Sequence, residues 1–394
     1  MIIDQASAIA ARSQEIVETL KTLMTDYSLP LWSREGWDPA TGGFVERLDI
    51  GGRADRFAPR RVRVQARQIY CFAKAAQLGW YKEGREIAMK GLEYLLAKAN
   101  SPDGRPGFVH LLDPDGSAIN FARDTYDHAF VLLALATVFQ LSGDAQVGVE
   151  IKSLVAFLDS DLRSPHGGFL EGLPAKLPRR QNPHMHLFEA LLAAHEAFGA
   201  GVGDAAFFDA AEGLAALFLG RLFQAREGAL PEIFDESLAP HREAGRFRIE
   251  PGHHYEWVWL LDRYATAAAA IGRPVPPELA AACDALLRFA DRHAASPAFG
   301  LVMNGIWSDG AVEGGGFRLW PQTERLKVEA RRRDAERFAA ALGAVERHLV
   351  GVCPGLWIER FDAAGQAVPG PAPATSLYHL TAALTDHAVV AFSI

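Results

Sequence analysis

Six polar residues stand at matching places along the chain: Arg67 in RVRVQAR, Tyr126 in DTYDHAF, His186 in QNPHMHLFEA, His253 in EPGHHYEW, Glu324 in LWPQTE and His379 in TSLYHL. Each opens a stretch with apolar residues at helical spacing, and each trails a glycine-centred motif by a similar distance. Imidazole titrates near neutrality, so it can take or give a proton at pH 7. Three histidines with a guanidinium, a phenol and a carboxylate in one apolar pocket suit proton transfer on a polar substrate. Glu256 lies three residues after His253, so the two share a helix face, and Glu256 is expected to orient His253 and tune its basicity. Asn182 and His186 are four apart and can likewise present one face to a ligand.

A histidine at a helix start is more often a cap or a satisfied core group than a catalyst. His128, His184 and His254 are read that way. Arg67 equally suits a structural ion pair, and Tyr126 suits packing with a satisfied hydroxyl. His253 and His379 are read as functional because their repeat positions match. The HxH of His184 and His186, and the adjacent His253 and His254, invite a metal, but residues one or two apart on a helix point in divergent directions. No carboxylate-rich cluster has firm ligand spacing, so no metal is expected. There is no P-loop and no placed dinucleotide fingerprint, and no cofactor is expected.

A repeat announces the elements that must position these groups. The motif reads GGFVERLD from Gly42, PGFVHLLDPDG from Pro106, GGFLEGLP from Gly167, GALPEIFDE from Gly228, FGLVMNGIWSDG from Phe299 and GLWIERFDAAG from Gly355. Aligned on Gly43, Gly107, Gly168, Gly228, Gly300 and Gly355, it recurs at intervals of roughly 60 residues. Each copy predicts a short strand or hairpin: glycine, apolar alternation, then a turn. Between copies the spacing predicts paired helices, the first of each pair apolar on most sides and the second half exposed. The pairs are 63–78 with 83–99, 126–141 with 147–162, 185–198 with 205–223, 253–271 with 277–293, and 322–328 with 334–349. After the sixth motif comes one helix, about 376–390, and the N-terminal helix, about 5–24, supplies its partner. Six inner and six outer helices predict an all-α (α/α)6 barrel, one catalytic domain over 1–394 with short β segments in the long loops at one end. Those long loops lead into the inner helices, so the six polar groups are expected to converge on the barrel axis at that end.

Composition narrows the function classes. Among 394 residues, Lys+Arg number 40 and Asp+Glu 48, a net charge of −8, which leaves no basic face for nucleic acid. No apolar run approaches the roughly 18–20 residues that span a bilayer, so no membrane association is expected. The N-terminus lacks the charge-then-apolar pattern of a signal peptide. Cys71, Cys283 and Cys353 are few and far apart, which suits a reduced, cytoplasmic protein.

Several of these stretches resemble the N-acylglucosamine 2-epimerase superfamily: QAR at Arg67, YDHAF from Tyr126, NPHMHLFEA from Asn182, GHHYEW from Gly252 and WPQTE from Trp320. The GHxxEW element is the most specific of them. The resemblance covers nearly the whole chain and implies the same barrel fold. It implies acid/base roles for His253 and His379, places for Arg67, Asn182, His186 and Glu256 around a sugar, and pocket-lining roles for Tyr126 and Trp320. The C-terminal element departs from the epimerase pattern, reading PATSLYHL with no tryptophan beside the histidine, which argues against a disaccharide epimerase.

The chemistry implied begins with an open-chain aldose, whose C2 proton is acidified by the neighbouring carbonyl. A neutral imidazole removes it, and Arg67 would stabilise the enediolate. Return of the proton to C1 gives a ketose; return to C2 from the other face gives the 2-epimer. The leading expectation is a cofactor-independent aldose–ketose isomerase of the mannose-to-fructose type, with a monosaccharide substrate and an assembly compatible with a homodimer. N-acylglucosamine 2-epimerase is the runner-up. An inverting glycosidase recruiting Asp124, Asp127 and Glu256 is a more distant alternative.

Overall fold

The apolar periodicity resolves into fourteen α-helices among the described residues, 2–199 and 205–392, of a computed structural model. In chain order they are α1 (Ile2–Thr22), α2 (Leu29–Arg34), α3 (Val62–Gln77), α4 (Gly84–Ala99), α5 (Thr125–Ser142), α6 (Ala145–Asp161) and α7 (Asn182–Phe198). Then follow α8 (Ala205–Leu217), α9 (Pro251–Ala270), α10 (Glu278–His293), α11 (Leu319–Arg332), α12 (Ala335–Leu349), α13 (Ala374–Leu384) and α14 (His387–Phe392).

Burial explains which helices form which layer. α5 is buried from Asp127 through Val138 on every side, so it must be surrounded by protein. Its partner α6 buries Val147, Ile151, Leu154 and Leu158 and exposes the opposite face. The same division holds around the ring. α3, α5, α7, α9, α11 and α13 pack each against the next, and α13 returns to α3. α4, α6, α8, α10 and α12 pack outside their own inner helix, and α1 lies against α12 and reaches α13. The fold is therefore the expected (α/α)6 barrel.

Three elements differ most from the sequence reading, and the first is the helix expected over 322–328, which runs from Leu319 to Arg332. The N-terminal element continues past residue 24 through a π-helical turn, Leu23–Ser28, into α2. The last helix stops at Leu384, and α14 is a separate turn, because the buried Asp386 caps it (Ala388 N–H to Oδ1, 3.0 Å) while pairing with Arg331 at 2.7 Å.

All six aligned glycines have positive φ, from +64° at Gly168 and Gly228 to +92° at Gly355. At Gly168 a side chain would meet the His184 ring as well as suffer the left-handed backbone. The short strands that follow tie the ring together. The strand ahead of each inner helix pairs antiparallel with the motif strand of the next repeat: Arg60–Arg61 with Leu111–Leu112, Arg123–Asp124 with Gly172–Leu173, and Arg179–Arg180 with Ile233–Phe234. Arg248–Ile249 pairs with Ile306–Trp307 and Phe317–Arg318 with Arg360–Phe361; Ala372–Pro373 then closes onto Arg47–Leu48.

The histidines read as structural behave as such. His128, His184 and His254 are buried, and each accepts at Nε2 from a motif backbone N–H: Phe108 at 2.9 Å, Phe169 at 2.9 Å and Leu230 at 3.1 Å. Gln65 and Gln322 do the same for Phe44 and Val302 through their side-chain oxygens. These bonds fix the loops against the inner helices, satisfy backbone groups that burial would otherwise orphan, and so set the level of the site.

Candidate active site

Every inner helix presents its N-terminal end to one small cavity of about 110 Å³. Arg67 reaches it from α3, Tyr126 from α5, Asn182 and His186 from α7, His253 and Glu256 from α9, Trp320 from α11 and His379 from α13. Helix N-termini carry partial positive charge, which favours an anion developing at their focus.

His253 donates Nδ1–H to both oxygens of Glu232, at 2.9 Å each. Glu232 also accepts from Gln181 Nε2 and from the Glu250 backbone N–H, both at 3.0 Å. Burial would lower the pKa of His253, but the charge and hydrogen bond of Glu232 outweigh it and push it up to about 9. His253 is therefore an imidazolium at neutral pH. Its Nε2 lies 3.2 Å from Asn182 Nδ2, while Asn182 Oδ1 has no partner. Turning that amide over would let protonated Nε2 donate to Oδ1, so Asn182 can serve either protonation state.

His379 donates Nδ1–H to Glu324 Oε1 at 3.0 Å. Glu324 also faces Lys327 Nζ at 2.6 Å, and both are fully buried. Here burial, reinforced by the positive charges of Arg67 and Lys327, holds His379 well below the ordinary imidazole range. It is neutral, with Nε2 free to accept. Trp320 stands between the two histidines, its ring 4.8 Å from His253 and 5.8 Å from His379. Gly252 permits this: a Cβ there would collide with the Trp320 ring.

Arg67 donates to Tyr126 Oη at 2.8 Å and lies 3.9 Å over the Phe130 ring. It is buried, and among the described residues it forms no salt bridge, so the structural ion pair is not its role. His186 donates Nδ1–H to Glu189 at 3.2 Å, and Glu189 also accepts from Tyr378 at 2.6 Å. Burial holds His186 down to about 4. Glu256 does not orient His253: neither of its oxygens has a hydrogen-bond partner. Burial and the charge of Glu324 raise its pKa well above the carboxylate range, so it faces the cavity as a neutral acid. Glu324 stands behind His379 rather than on the cavity wall.

Glu232 was missed by the sequence reading. It occupies the polar position of its motif (PEIFD), where three of the other five copies carry Glu46, Glu171 and Glu359, and that recurrence was the available signal. Asp124 and Asp127 are engaged elsewhere: Asp124 caps α5 and pairs with Lys176 at 3.1 Å, and Asp127 pairs with Arg63 at 2.9 Å. Neither lines the cavity, so the acid pair of an inverting glycosidase does not form there. His184 and His186 diverge, the first to a loop and the second to the cavity. Two groups of metal-ligand type do come together among the described residues, His110–Asp124–Asp127 and His186–Glu189–Glu256, each with its ligand atoms within 4.8 Å. The first is already neutralised by Arg63 and Lys176.

Buried histidines, carboxylates and an arginine thus meet at the focus of six helical hairpins. The chain belongs to the N-acylglucosamine 2-epimerase (GlcNAc 2-epimerase) family, whose model matches residues 42–383, and it is an isomerase or epimerase. It is 38% identical over 377 residues to a mannose-6-phosphate isomerase of Rhizobium meliloti (strain 1021), covering 92% of this chain and 94% of that one. The fold matches cellobiose 2-epimerase from Spirochaeta thermophila DSM 6192 with a TM-score of 0.83 at 22% identity, over 96% of this chain and 98% of that one. A D-mannose isomerase structure matches with a TM-score of 0.80 at 21% identity, over 95% and 97%.

Proposed function

We propose that the protein is a cofactor-independent aldose–ketose isomerase acting on a monosaccharide of the mannose type. The observation that carries this is the pair of histidines on one cavity, each held at Nδ1 by its own buried glutamate and shifted in opposite directions by its surroundings, with the Arg67 guanidinium, which has no carboxylate partner among the described residues, on the same wall. Environments that push two titratable groups apart assign the base and the acid. Neutral His379 takes the proton from C2 of the open-chain aldose. As the C2–H bond breaks, the carbonyl oxygen on C1 gains negative charge, and Arg67 and protonated His253 meet it. His253 passes its proton to that oxygen, giving the neutral cis-enediol, and then takes the proton of the C2 hydroxyl while His379 returns the carried proton to C1, which leaves the ketose and both histidines as they began. Glu256, as a neutral acid, donates a hydrogen bond to a substrate hydroxyl. The cavity lies well below the 300–1,000 Å³ of drug-sized pockets, which supports one sugar ring rather than two.

The name of the Rhizobium relative supports a second reading, a 6-phosphorylated substrate. Arg318, about half exposed on the cavity wall and 3.9 Å from Glu359, would meet that phosphate.

Proton NMR in deuterium oxide separates these readings. Mannose, mannose 6-phosphate and N-acetylmannosamine are incubated separately, and ketose formation and deuterium uptake are scored together. Fructose from mannose is the expected result. Conversion of the 6-phosphate alone would move the substrate to the second reading. Conversion of N-acetylmannosamine to N-acetylglucosamine, with no ketose from mannose, would replace isomerisation by 2-epimerisation.

A further inference from the structure

The polar position of the motif meets a different partner in different repeats. Backbone register fixes which residues correspond. The N–H groups of Val62, Thr125, Gln181, Leu319 and Ala374 each donate to the carbonyl of that motif position in the next repeat, at 2.9 to 3.3 Å. The sixth equivalent is Pro251, which has no N–H to give. The residues just before these six are Arg61, Asp124, Arg180, Glu250, Arg318 and Pro373.

In three repeats the motif glutamate accepts from the backbone N–H of that preceding residue: Glu46 from Arg61 at 2.7 Å, Glu171 from Arg180 at 2.6 Å and Glu232 from Glu250 at 3.0 Å. In the first two, the arginine side chain also folds onto the same carboxylate, Nε to Oε2 at 2.7 and 2.8 Å. A guanidinium so placed neutralises the glutamate and occupies its second oxygen. In the third the side chain is itself a carboxylate. Glu232 has no Lys or Arg within 4.0 Å among the described residues, and its ion-pair partner is His253, three residues after Glu250. Glu250 also engages a nearby cation: Arg248 lies 3.5 Å from it, and Arg318 shares its cavity wall. Burial and the charge of Glu232 push the Glu250 carboxyl up, as neighbouring acids do to one another. The other charged and titratable groups facing His253 are Glu256 on its own helix, His379 beyond Trp320, and Arg67 and His186 across the cavity.

We propose that Glu250 is a positioning residue for the proton transfer: it stands where the first and third repeats carry a brace arginine, and so leaves the charge of Glu232 to His253 alone. This role rests on the reading of His253 as the acid of the isomerase.

The test titrates His253 directly, by NMR of histidine-labelled protein without substrate, on the imidazole resonance that is lost in His253→Gln. The pH profile of kcat is measured alongside. Glu250→Arg rebuilds the brace on Glu232, so the His253 titration should move down by about 1 pH unit or more. Glu250→Lys brings the same charge on a shorter stem, should act in the same sense, and serves if the arginine variant does not fold. Glu250→Gln removes an acid without adding a cation, and should move the titration by less than about half as much. With Glu232→Gln already in place, Glu250→Arg should likewise keep less than about half of its effect. A titration unmoved in the folded cationic variants, a shift in Glu250→Gln as large as theirs, or the full shift with Glu232 already neutral would overturn the proposal. A titration that moves while the kcat profile stays in place supports it, and overturns instead the reading of His253 as the acid.

Discussion

The two histidine–glutamate pairs make nearly the same hydrogen bond and have opposite consequences. His253 to Glu232 measures 2.9 Å and His379 to Glu324 measures 3.0 Å, in both cases from Nδ1. What differs is the third group. Glu232 is held by neutral donors, an amide side chain and a backbone N–H, so its charge acts on His253. Glu324 is itself pushed up by burial and faces Lys327, so it does little for His379, which burial holds down with Arg67 and Lys327 adding repulsion. A carboxylate beside a histidine is therefore no guide to basicity until the carboxylate's own partners are known.

Removing either ring should break the pair most severely. His253→Ala and His379→Ala are each expected to lower kcat by about 10³-fold or more, at the upper end of general acid–base effects, with circular dichroism and melting unchanged. Near-normal turnover in a folded His379→Ala would end the reading of that side.

Converting Glu232 to Gln keeps the shape and removes the charge. His253 must be protonated to act, so parent activity should fall as pH rises through about 9. In Glu232→Gln that limb should move to lower pH and kcat at neutrality should drop by about 10²-fold. An alkaline limb that stays in place would show that Glu232 does not set the protonation of His253.

The other side should respond in the opposite sense. His379 must be neutral, and its lowered pKa means that activity persists to pH values below the ordinary imidazole range. Lys327→Met removes a positive charge that helps hold His379 down, so the acid limb should move up in pH, with about a tenfold loss of kcat below neutrality. Leaving a buried carboxylate unpaired should also cost roughly 3–5 kcal/mol of stability, read by denaturant melts. The smallest effect belongs to metal removal: dialysis against a chelator should leave both limbs and kcat unchanged. Loss of activity restored by zinc or manganese would redirect attention to His186, Glu189 and Glu256.

Much of this was legible in the residues, for identifiable reasons. The repeat glycines mark a backbone requirement that only glycine meets cheaply, and all six adopt it. Inner and outer helices differ in how many faces are apolar, which a sequence displays directly. His128, His184 and His254 were separable from His253 and His379 because they occupy a different register of the repeat. The partners of the catalytic candidates were harder to see. Glu256 shares a helix face with His253, but helical side chains lean toward the N-terminus, so His253 reaches back over the loop to Glu232. That contact joins one repeat's helix to the preceding motif strand, and it emerges only when the strands are paired. Glu189 was visible three residues after His186, yet its bond to Tyr378 crosses 189 positions of sequence.

The closing joint of the ring has a consequence for how the protein comes into being. Gln68 on α3 binds the Ala374 carbonyl at the head of α13 across 306 residues, and Ala372–Pro373 clasps Arg47–Leu48 beside it. Bringing such distant segments together carries an entropic cost of about 3 kcal/mol beyond that of closing a loop of about ten residues. Hairpins such as α5–α6 form from neighbours and can precede it, and contacts this remote in sequence are slow to form. Arg67 and His379 stand on the two sides of that joint, so the cavity they line is whole only once the joint has closed. A chain still emerging from the ribosome would carry His253 before His379, and the two would share no cavity until the circle shuts.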